Sequence, residues 1–269
     1  MKGYLISMSL LVCFLLSVGN LQAQDKTVKY RFFYNSTFRV FEGAAKTSEQ
    51  KVLEISKDYT MFVSTSYERR LWLTDSLKKV GANRDEMLRA TSRISRSKDM
   101  SIMYRNYPTK GKLTMRENAL KYYVYTEDIE KINWKTLPGD TMICEFSCKK
   151  AQCTFRGRTW NVWYAPDISI PEGPWKLTGL PGLIMSAADS KGDFSYLCVG
   201  MDEPSGIEIP IPDMSSCIKC TREEFMKTVM RFYSDPTGYE KSLGGTGVVK
   251  NADGSVKKYD EKKPVFKDL

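Results

Sequence analysis

Between Val28 and Met201 the chain is a succession of short runs rich in aromatic and β-branched residues, most of them partly alternating and closed by a turn signal. Runs of this kind bury one face each and predict antiparallel strands. They cover 28–41, 51–56, 59–67, 101–107, 112–116, 121–126, 130–136, 141–148, 153–156, 159–165, 183–188 and 194–201. Helical signals are few. Residues 223–233 place Phe225, Val229 and Phe232 on one face, and 84–97 carries only a thin apolar stripe. No repeat of 20 to 50 residues is present. The expected fold is mainly β: a curved antiparallel sheet or half-barrel with one or two appended helices.

The flanks of this region read differently. Residues 1–23 have the layout of a signal peptide, with Lys2, an apolar run from Tyr4 to Val18, and Ala23 before Gln24. The run is short for a membrane span, which needs about 20 apolar residues. Cys13 is not a lipidation site, because Val12 stands where a small residue is required. No second run is long enough to span, so the chain is expected to be exported, periplasmic or extracellular. A β domain then occupies 24–240. Residues 241–269 form a polar, basic extension with a hairpin at 251–254. The net charge of +9 is scattered. Export removes nucleic acid as a partner and leaves anionic envelope polymers.

The chain contains no histidine. That excludes the Ser-His-Asp triad, the Cys-His dyad, HExxH zinc and histidine-ligated haem. Six cysteines follow the leader, an even number that suggests disulfides in an exported protein. Cys217 and Cys220 form a CxxC just before a capping box, Thr221 with Glu224. Both therefore precede the helix, and a local disulfide suits them better than a redox pair. Cys148 and Cys153 flank a short predicted turn at 149–152 and are a second candidate pair. Cys144, Cys148 and Cys153 lack the spacing of a zinc site. No metal or cofactor is expected.

Other motifs reduce to turns. Placing Gly254 at position 6 of a calcium loop puts Val249 where an aspartate is needed. The glycines at 244–247 lack the lysine of a phosphate loop. Ser190 and Lys191 are adjacent, so a strand would point them to opposite faces. Asp167, Glu172, Asp189 and Asp193 are the acids available for a carboxylate pair of the glycosidase kind. Trp160, Trp163, Tyr164 and Trp175 are the candidate aromatics of a groove.

The most distinctive stretch is 148–188, CKKAQCTFRGRTWNVWYAPDISIPEGPWKLTGLPGLIMSAA. Gly179, Leu180, Pro181, Gly182, Leu183 and Ile184 spell GLPGLI. Together with Cys148 to Ala151, Phe155 to Arg158, Trp163 to Pro166 and Gly173 to Trp175, this order of motifs resembles the GLPGLI family of exported envelope proteins of Gram-negative bacteria. The resemblance runs from about Val28 to Tyr233. It implies a compartment and an approximate fold, and it supplies no catalytic residue. Cys217 and Cys220 stand outside its pattern. Read physically, Gly179 and Gly182 permit positive φ or close backbone approach. Pro181 presets a turn. Trp175, Leu177 and Leu180 seal the core.

Two functions are carried forward. The first is non-enzymatic binding of an apolar or amphipathic ligand, or of an envelope protein partner, in a concave face capped by Gly179 to Ile184. The second is a secreted hydrolase acting on carbohydrate through paired carboxylates. Two acids about 5 to 9 Å apart in an aromatic cleft favour the hydrolase.

Overall fold

A computed structural model of the chain describes residues 24–246 and 262–268. The expected leader and the expected hairpin at 251–254 lie outside those residues. Twelve strands form one mixed sheet. In chain order they are β1 (Tyr30–Phe38), β2 (Thr47–Ile55), β3 (Thr60–Ser64), β4 (Ile102–Arg105), β5 (Lys112–Ala119), β6 (Lys121–Asp128), β7 (Lys135–Ile143), β8 (Phe146–Phe155), β9 (Arg158–Ala165), β10 (Leu183–Asp189), β11 (Phe194–Asp202) and β12 (Ile218–Lys219). The spatial order is β12-β6-β5-β4-β3-β2-β1-β11-β10-β9-β8-β7. Neighbours are antiparallel except β12, which runs parallel to β6.

The mainly β expectation holds. Four helices are described, however, where the sequence suggested one or two: α1 (Thr65–Lys79), α2 (Arg84–Ser92), α3 (Arg222–Ser234) and α4 (Pro236–Ser242). The strand predicted at 59–67 ends at Ser64, and α1 begins there. The apolar residues of α1 are spread around its axis, and Ser64 makes no capping hydrogen bond, so neither usual helix signal is present. α4 follows α3 after a single residue. Asp235 caps the next helix, and Pro236 occupies its first turn, where a missing N–H costs nothing. The capping box of α3 is present as expected.

The sheet is open in strand order but strongly curled. β6 and β8 are nine places apart in that order, which would separate them by about 43 Å in a flat sheet. Yet Arg156, beside β8, binds Glu127 of β6 at 3.0 Å. The curl encloses one large core of inward residues, including Phe32, Tyr34, Leu53, Phe62, Met103, Met115, Tyr125, Trp160 and Tyr196. A second core lies outside β2 to β4. There Val52, Met61, Val63, Ile102 and Tyr104 pack under Tyr67 of α1 and under Val28 and Ile209. β3 and β4 are therefore buried on both faces, which explains the apolar runs Met61 to Val63 and Ile102 to Tyr104. At the edge, β7 carries Pro138 and a register shift, both of which discourage further pairing.

Candidate functional site

Strand parity sends several charged side chains into the enclosed face. On β2, Lys51 shares a face with Leu53; on β4, Arg105 shares one with Met103. Both are almost fully buried. Lys51 reaches Asp99 at 2.7 Å. Arg105 spans the core to the loop that follows β9, where it binds the Glu172 carboxylate and donates to the Trp175 carbonyl. Trp175 itself has φ +53°. This second anchor offsets a backbone conformation that is costly for a non-glycine residue. Its ring packs 5.3 Å from Trp160 and 5.9 Å from Phe155.

Residues 262–268 return to this face as a strap. The backbone pairs with 40–42: Glu42 N–H donates to the Lys263 carbonyl at 2.9 Å, and Val265 N–H to the Val40 carbonyl at 3.0 Å. Arg158 donates through Nε to the Phe266 carbonyl at 2.7 Å. Lys267 lies 3.4 Å from Asp99, and Asp268 accepts from Lys176 at 2.5 Å.

Between strap, sheet and α3 is a cavity of about 310 Å³. Its apolar wall includes Met115, Tyr125, Trp175, Phe194, Phe225 and Phe232, and its polar side includes Asp99, Glu117, Lys267 and Asp268. The charges are unequal. Burial, aided by the nearby Asp99, pushes the Glu117 carboxyl up to about 7. Burial would also raise Asp99, but Lys51 and Lys267 overcome it and hold that carboxyl well below its usual range. Lys267 is likewise opposed by burial, yet Tyr196, Asp99 and Glu117 raise it. The cavity thus joins an aromatic wall to a cation-accepting corner.

A larger space of about 1020 Å³ lies between α1 and residues 206–216. Its lining mixes Arg70, Asp75, Lys78 and Lys79 with Leu71 and Ile209, and Trp72 and Arg70 there are tied to backbone carbonyls. Two aromatic side chains, Tyr67 and Trp72, line it, against eight in the first cavity, and an aromatic lining favours binding.

The residues singled out by sequence are placed as follows. Of the four groove aromatics, Trp175 lines the cavity. Trp160 is fully buried beneath it, and Tyr164 is in the core. Trp163 points the other way, under Lys150 at 5.7 Å. None of Gly179, Leu180, Pro181, Gly182, Leu183 and Ile184 lines the cavity. They support the Trp175 loop from behind, with Ile184 N–H donating to the Glu172 carbonyl at 2.9 Å and Tyr34 donating to the Ile184 carbonyl at 2.8 Å. Asp189 and Asp193 both serve Arg158, Glu172 serves Arg105, and Asp167 is exposed. Sequence reasoning missed Lys51, Asp99, Arg105, Glu117 and the strap. The signal was there for Lys51 and Arg105, since each is a charge at an inward position of an apolar strand.

The disulfide expectations are corrected. All six described cysteines are free thiols. Cys148 and Cys153 lie on one continuous strand, β8, because the turn is at Cys144 and Glu145, both with positive φ. Five residues of strand separate their Cα atoms by about 16 Å, beyond disulfide reach. Cys217 and Cys220 flank the extended β12, so they are about 10 Å apart on opposite faces. The cross-strand thiol contact is instead Cys144 donating to the Cys198 carbonyl at 3.4 Å. No group of three or more acidic or cysteine side chains among the described residues can hold a metal.

Burial raises the thiols of Cys153 and Cys198 to about 12, while Cys144 is partly exposed at a turn. Native alkylation should therefore label Cys144 well before Cys148, Cys153 and Cys198, because the thiolate is the reacting species. Peptide mapping over time checks this. Equal rates at all six would contradict the packing.

No family model and no curated protein matches the chain. Among solved structures, PNGF-II in a P21 crystal form aligns with TM-score 0.49 and 13% identity, over 77% of this chain and 34% of that one. The C2 form gives 0.48 and 13%, over 77% and 33%. A crystal structure of MucB in complex with MucA(peri) aligns with TM-score 0.26 and 7% identity, over 72% and 56%. The chain spans about a third of the length of the PNGF-II chains. These likenesses carry no argument about function. No helix among the described residues is long and apolar enough to cross a membrane.

Proposed function

We propose that this is an exported cell-envelope protein of the GLPGLI type that binds an apolar or amphipathic ligand, or a protein partner, without chemistry. The observation supporting this is the aromatic-walled cavity with one charged corner. Its volume lies at the lower end of the range for ligand sites, about 300 to 1,000 Å³. An apolar body against Met115, Phe225 and Phe232, with a cationic group near Asp99 and Glu117, uses both halves. The basic exterior and leader-like 1–23 segment fit a role among anionic envelope polymers.

The test is titration of the full chain with dodecyltrimethylammonium, followed by tryptophan fluorescence. Trp175 in the wall should report binding. Val229→Trp, which fills the cavity from α3, should weaken binding by about tenfold or more, as expected for an occupied apolar pocket. Unchanged affinity in that variant would place the amphiphile elsewhere and refute the reading.

A hydrolytic reading draws on one observation. Asp99 and Glu117 share the aromatic cavity, and their environments push their ionisation in opposite directions, the pattern of an acid and its partner. Two lysines neutralise Asp99, however, which blunts it as a nucleophile or base. Glu117→Gln separates the readings. It should abolish any glycan turnover if the pair is catalytic; if the site only binds, there is no turnover to lose, and dodecyltrimethylammonium affinity should fall because the cation loses one of its two carboxylates.

A further inference from the structure

We propose that the 262–268 strap is a displaceable wall of the cavity, and that the partner taking its place is an extended peptide of the same chemistry: an apolar and aromatic pair followed by a lysine and an acid. This rests on the binding reading and specifies its partner.

The strap is held as a bound peptide is held. Two backbone hydrogen bonds to 40–42 add it as a short antiparallel segment, a mode that gives affinity largely independent of sequence. Side-chain pockets then select. Phe266 stands at the apolar wall. Lys267 enters the corner made by Asp99 and Glu117, with its ammonium 5.8 Å from the Phe194 ring. Asp268 meets Lys176.

The receiving groups are complete without the strap. Asp99 already has Lys51 at 2.7 Å, closer than Lys267 at 3.4 Å. Lys176 has Glu127 at 2.5 Å, and Arg158 has Asp189 and Asp193. Removing the strap therefore leaves no bare buried charge at these three positions. The strap is also shallow: Pro264 is buried, whereas Val265, Phe266, Lys267 and Asp268 are only partly so. A segment of the same chain competes through its effective concentration, on the order of millimolar. A free peptide must overcome that advantage.

The probe is a fluorescent synthetic peptide of residues 262–268, titrated by anisotropy into the full-length wild-type chain and into full-length Lys267→Ala. The variant weakens its own strap, so it should bind the peptide about tenfold or more tightly than wild type does. The same peptide carrying Lys267→Ala should bind the variant about tenfold more weakly than the native peptide, since it lacks the cation. Equal affinity of the two proteins for the native peptide would overturn the proposal. So would absence of peptide binding to both while dodecyltrimethylammonium still binds, which would keep the cavity reading and make the strap a fixed part of the fold. A concentration-dependent dimer of the wild-type chain that the free peptide dissociates would assign the site to a second copy's strap and overturn the partner assignment. Loss of both peptide and amphiphile binding would count against both readings.

Discussion

Gly182→Ala should destabilise the protein by about 3 kcal/mol or more, from a single methyl group. Gly182 has φ +149°, and a Cβ there would stand 2.2 Å from the Ala165 carbonyl oxygen and 2.9 Å from Pro166 Cα. Both are backbone atoms, so no rotamer change relieves the contact. Leu183 pairs with Ala165 in the β9–β10 ladder, so the clash separates two strands at the base of the Trp175 loop. Gly179 is the control. It also has positive φ, +92°, but nothing lies within 4 Å of its would-be Cβ. Gly179→Ala should cost only the conformational penalty, about 1 kcal/mol. Urea unfolding followed by tryptophan fluorescence measures both. Comparable midpoints for the two variants would show that the close approach at Gly182 does not limit stability.

Arg158→Met is expected to cost about 3–5 kcal/mol, the usual result of removing one partner from a buried ion pair. Asp189 is the partner at risk, since its side chain has no solvent exposure and its other donor is the Phe194 N–H. The guanidinium also binds Asp193 and the Phe266 carbonyl, so one substitution disturbs the β10–β11 turn and the strap together. The double variant Arg158→Met with Asp189→Asn removes the stranded charge and should recover about half of the loss or more. If the double variant is as unstable as the single, the loss comes from packing around Arg158 and not from the unpaired carboxylate.

Much of the sheet was legible because alternation and turn signals are local. The capping box of α3 and the runs of β1, β5, β6 and β9 each carry their meaning within a few residues. α1 was hidden because it lacks both a polar cap and a single apolar stripe, and it is stabilised by packing on an already formed sheet. Lys149, Lys150 and Gln152 looked like a turn because they are polar; on a curled sheet they form the outer and rim positions of a continuous β8. The family-like GLPGLI segment was visible as a motif, and its glycine chemistry was readable. Its position behind Trp175 was not. The site depends on Lys51, Asp99, Glu117 and Lys267, which are as much as 216 residues apart in sequence. No local pattern joins them; the curl of the sheet does.

The strap gives the cavity a history as well as a shape. Its partners at 40–42, Asp99, Arg158 and Lys176 all precede it in the chain. During synthesis those residues exist before residue 262 has been added. The strap's partners are thus complete before it in the chain, and its long-range contacts carry the greatest loop-closure cost of the site. Of the contacts that build the site, those of the strap are the ones with most chain entropy to recover, and so the ones a ligand in the basin can most cheaply replace.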